Sequence, residues 1–200
     1  PMPEQERGRP DSRETVSFYV VGLVLLVVLP GLNLLPAEDS WLHLSDFRLN
    51  QFGKFLAFAI LALGLDLIWG YCGVLSMGQG VFFGLGAYCM GMYLALQIGT
   101  ESVYGSELPD FMVWTQVKEL PLFWYPFKSF FGGFVGAILV PVLFATLFGF
   151  LAFRSRIKGV YFAIITQALA FAAWLVFNRN ETRLGGTNGL TDFKQLLGYR

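Results

Sequence analysis

Asp66 is the single formal charge in an apolar run from Phe55 to Thr100. An acid buried among apolar residues demands a hydrogen-bonding or charged partner, or water. Tyr71, Ser76 and Gln79 follow it closely, among Gly70, Gly73, Gly78 and Gly80. Phe82 and Phe83 come next, and Thr166 and Gln167 form a second polar pair in a later apolar stretch. The hydroxyls and amides in this set donate and accept hydrogen bonds without supplying a nucleophile or a base near neutral pH. Such a set does not point to covalent chemistry. Asp66 has two readings, a structural or capping acid and a border of a solute route. The glycine-rich segment also has two. It is an ordinary turn, or a break in the backbone at membrane depth, which is tolerated only against protein or a water-filled cavity. Gln167 is read either as a bond to a neighbouring helix or as a pore-lining group.

The elements that must position these residues are membrane spans. Of the 200 residues, 55% are hydrophobic and 14% charged, against about 25% charged in ordinary soluble domains. A span needs about 20 apolar residues, and five stretches qualify: residues 16–35, 53–70, 81–98, 129–153 and 159–178. The expected fold is an all-α polytopic helical bundle, preceded by a polar tail over residues 1–15. Pro30 and Gly31 are expected to kink or end the first span, and Pro141 to kink the fourth. Gly80, Gly84, Ala87, Gly91 and Ala95 recur with helical spacing on one face, which predicts close packing against a neighbouring helix. Gly132 and Gly136 form a second small-residue pair. Residues 99–128 read as a long solvated connector with a short interfacial helix around Leu108 to Lys118, and Trp41 as an interfacial residue of the 37–51 connector.

Several classes are excluded. Lys+Arg and Asp+Glu are equal at 14 each, so no basic surface for nucleic acid is expected. Cys72 and Cys89 lack metal-ligand spacing and read as structural thiols. His43, in a polar connector, has no catalytic companion. Gly185–Gly189 is a turn-rich patch without the lysine and glycine spacing of a nucleotide loop. Arg7, Arg9 and Arg13 share a side, by span parity, with the 154–158 loop, and the acidic connectors fall on the other. The positive-inside rule then puts the N-terminus in the cytoplasm.

Three blocks carry a family resemblance: LGLDLIWGYCGVLSMGQGVFFGLGAY at 63–88, FRSRIKGVYFAIITQ at 153–167 and GGTNGL at 185–190. They resemble the branched-chain amino acid/urea family of ABC-transporter inner-membrane permeases. Gly91–Tyr93, Leu108–Met112, Glu119–Pro121 and Leu190–Lys194 are most similar to the urea-transporting branch. The resemblance implies a subunit that does no covalent chemistry and binds no cofactor. ATP and Mg would be used by two cytoplasmic ATPase partners. A second permease subunit and a periplasmic substrate-binding protein would complete the importer. It also implies a longer subunit, with the C-terminal part and the coupling segment beyond Arg200. The family often has His where this chain has Gln79, so no titratable group stands there.

Overall fold

The computed structural model describes residues 12–34, 44–155, 157, 159–191 and 193. His43 and Trp41, most of the N-terminal tail and part of the basic 154–158 loop lie outside the described residues, as do the last seven residues. The described residues form helices and connecting turns, with no strand among them. Among the described residues, five helices are long and apolar enough to cross a membrane. The chain divides into two compact units, 1–60 and 61–200.

In the first unit, α1 (Ser12–Leu23) continues through a wider π turn at Val24–Val28 into α2 (Leu29–Leu34). The span therefore runs on through Pro30 and Gly31. Pro30 cannot donate to the carbonyl one turn back, and the widened turn immediately before it closes instead with Leu29 N–H donating to Val24 O. Asn33 at the end of α2 donates from Nδ2 to Leu44 O and to Asp46 Oδ1, both at 2.8 Å. This amide links the end of one span to the start of the next. Asp46 opens α3 (Asp46–Cys72), where an acid favours the exposed N–H groups of the first turn. The helix therefore starts before the apolar run, with Asp46, Arg48, Asn50 and Gln51 in its first turns.

The second unit is organised by α4 (Gln79–Ile98) against α6 (Phe130–Arg154), its largest interhelical contact. The two run antiparallel. A Cβ on Gly86 would stand 2.9 Å from Ala137 O, and one on Gly133 2.8 Å from Tyr93 Cβ. Ala137 is four residues before Pro141, so its carbonyl has lost its helical donor. The bare Gly86 approaches that freed carbonyl, and α6 runs unbroken through Pro141. Thus the close approach uses Gly86, Cys89 and Tyr93, a different face from the expected stripe. Gly80 and Gly84 would have nothing within 4 Å of an added Cβ, and Ala87 is exposed. Gly91 and Ala95 are buried, with Leu190 Cδ1 3.2 Å from the Cβ position of Gly91. α7 (Val160–Phe177) packs on α4 less extensively.

Residues 99–128 are not a solvated loop. α5 (Asp110–Trp114) and a 3-10 segment, Leu122–Lys128, fold down on the end of α4. Met112 and Trp124 are completely buried there with Met92 and Ala95. Trp124 Nε1 donates to Arg183 O at 3.2 Å and ties in the segment after α7. Glycines 185, 186 and 189 adopt positive φ in that segment, so the turn expected at 185–189 is present.

A chamber at the broken segment as the candidate functional site

Between α3 and α4 the chain leaves helical geometry over residues 73–78. Gly73 permits the departure with φ of +64°, a conformation other residues adopt at a cost. The segment then runs against the side of α7. Met77 N–H donates to Thr166 Oγ1 at 3.0 Å, and the Thr166 hydroxyl donates to Ala163 O at 2.9 Å. A Cβ on Gly78 would stand 2.8 Å from Thr166 O, so only glycine lets the backbones meet.

These contacts set the depth of the break. Thr166 lies six residues into α7 (Val160–Phe177), and at 1.5 Å per residue that is about 9 Å from its start. The 73–78 segment therefore reaches about a third of the way along a membrane helix, and α4 begins there. Gly78 is its N-cap, with no side chain capping the first turn. The leading N–H groups of a helix have no intrahelical acceptors.

Beside this start is a half-open chamber of about 430 Å³. Ile68 and Cys72 of α3 form one wall, and Pro141, Phe148 and Phe153 of α6 another. Ring contacts close the aromatic side: Phe82 lies 6.4 Å from Phe148, Phe148 lies 6.4 Å from Phe162, and Phe153 stacks on Phe162 at 5.5 Å. Among the described residues, Ser76 and Gln79 are the lining residues with hydroxyl or amide side chains, and none of the described lining residues is charged. Ser76 is only 4% exposed, and its hydroxyl has no hydrogen-bond partner among the described residues. The Gln79 amide lies against α3, its Nε2 3.4 Å from the Cβ position of Gly64.

Residues 47–198 match the family described as the branched-chain amino acid transport system permease component. The chain belongs to that family. No curated protein and no solved structure matches it. The permease is thus a multi-pass membrane protein of a transport system, and a transporter component rather than an enzyme.

Of the residues singled out in the permease sequence, Ser76, Gln79 and Phe82 meet in the chamber. Thr166 is fully buried behind the broken segment and holds it. Asp66, Tyr71, Phe83 and Gln167 are exposed on their helices, Tyr71 at 87%. Asp66 lies two residues, or about 200° of helical turn, from both Gly64 and Ile68, so it points away from the chamber. It makes no hydrogen bond or ion pair among the described residues. Sequence reasoning missed Cys72, Phe148, Phe153 and Phe162 as chamber walls. Nothing in their local pattern separates them from lipid-facing apolar residues. Pro141 carried a readable signal, since a mid-helix proline frees a carbonyl that a glycine on a neighbour can approach.

Proposed function

We propose that this chain is a transmembrane permease subunit of an ATP-driven importer that passes urea or short-chain amides across the inner membrane. A second permease subunit, two cytoplasmic ATPases using ATP and Mg, and a periplasmic binding protein complete the system. The N-terminus lies in the cytoplasm. ATP binding and hydrolysis on the partners switch the pair of permeases between inward- and outward-open packings.

One observation carries the choice of solute. Among the described residues, the chamber beside the broken segment offers a hydroxyl and a carboxamide and no charge. A zwitterionic amino acid would leave its carboxylate and ammonium unpaired there, and unpaired charge in a low-dielectric site is strongly disfavoured. A neutral amide needs only neutral partners. The family's name favours the second reading, in which the solute is a branched-chain amino acid. The aromatic walls would accept its aliphatic side chain, but the two charged groups would have to be met elsewhere.

The deciding experiment is uptake by the complete complex in proteoliposomes, comparing labelled urea with labelled leucine. ATP-dependent urea uptake is expected. Leucine uptake without urea uptake would overturn the reading.

A further inference from the structure

We infer that Ser76 and Gln79 form a binding subsite for a planar primary amide inside the chamber at the start of α4. The inference rests on the proposed function and assigns its solute contact to two named side chains. Three observations converge. The chain breaks at membrane depth, where Thr166 pins Met77 and Gly78. Ser76, in that break, is buried and its hydroxyl has no partner among the described residues. The chamber it lines also contains Gln79.

The chemistry of these groups selects the ligand. A carboxamide presents one acceptor oxygen and two donor hydrogens, and a serine hydroxyl one donor and two lone pairs. A primary amide offers the complementary set in one plane. Its carbonyl accepts while its N–H groups donate, so it can pair with the Gln79 carboxamide and satisfy Ser76 together. An alcohol supplies one donor and cannot form both halves of the amide pair. A cation or anion would meet no counter-charge among the described lining residues. The rings of Phe82 and Phe148, 6.4 Å apart, give a flat solute an apolar wall. Acetamide and methylurea should therefore bind as well as urea.

The site carries its own reporter, since Cys72 lines the chamber while Cys89 is buried at the α4–α6 contact. The permease, assembled with its partners and carrying Cys89→Ala, is alkylated with N-ethylmaleimide while acetamide, urea or leucine is titrated in. Acetamide and urea should slow Cys72 alkylation along a saturating curve, about threefold once the concentration reaches twice the Kd by mass action. Ser76→Ala and Gln79→Met should each abolish protection. Their unprotected alkylation rates, unchanged, would show that the chamber persists. Amides that give no protection, or protection that survives both substitutions, would overturn the subsite. Uptake in the same vesicles separates the two claims. Urea import without protection removes the subsite and leaves the function standing, whereas leucine import without urea import removes the function. Leucine protection that both substitutions leave intact would assign the chamber to a different solute and also overturn the subsite.

Discussion

Thr166 joins two segments through one oxygen, accepting from Met77 N–H while its own hydroxyl donates to Ala163 O. Thr166→Val keeps the shape and removes both bonds, stranding a backbone donor. The expected loss is about 1–3 kcal/mol of stability, visible as a lower Tm in detergent, and Thr166→Ser should restore most of it. Asp66 belongs to the other class of residue. A mid-membrane acid costs about 2.5–3.5 kcal/mol on insertion scales, yet it points away from the chamber. On the proposed urea reading, Asp66→Asn should therefore change the KM for urea by less than about twofold, since it removes no ground-state contact with the solute. A large rise in KM would return Asp66 to the solute route. Both residues were visible in the sequence as polar groups in apolar spans. Their opposite placements were not, because helical phase relative to a neighbour depends on which faces pack.

The helix pair α4–α6 shows how much a stripe of small residues leaves undecided. Gly80, Gly84 and Ala87 share a face; Ala87 is exposed, and Gly80 and Gly84 stand open beside a groove that Ala170, Trp174 and Phe177 of α7 also line. Gly86, off that stripe, makes the close approach to the carbonyl that Pro141 leaves without a donor. The two positions separate cleanly by mutation. Gly86→Ala places a methyl group 2.9 Å from a backbone oxygen, and overpacking of this kind costs about 1–3 kcal/mol. Gly84→Ala meets nothing and should not destabilise, gaining about 1 kcal/mol at most from helix propensity. Thermal unfolding of the two variants in the same detergent checks the contrast. Equal effects would mean that the stripe, and not Gly86, carries helix association. The periodicity is a property of one helix, whereas packing selects among faces by what the partner presents.

At the scale of the whole chain, the 99–128 segment decides how the second unit is closed. Its polar composition and three prolines suggest a connector, but Met112 and Trp124 form a core with Met92 and Ala95. Trp124→Ala should cost about 3–5 kcal/mol. Trp124→Phe should cost less, losing chiefly the bond to Arg183 O. Circular dichroism melts of the purified chain measure both, and a mild alanine phenotype would contradict the buried core. By itself the sequence determined the membrane class, the number of described spans and the family. Run length and hydropathy settle partition into lipid, and the family blocks are local strings. Only the tertiary structure decided that the glycine-rich segment descends about 9 Å along α7, that Ser76 and Gln79 share a chamber while Asp66 does not, and that the connector is a packed cap. Those outcomes rest on contacts such as Met77 with Thr166, 89 residues apart. Such a pairing is made by the surfaces that meet, and no local pattern at either position specifies the other.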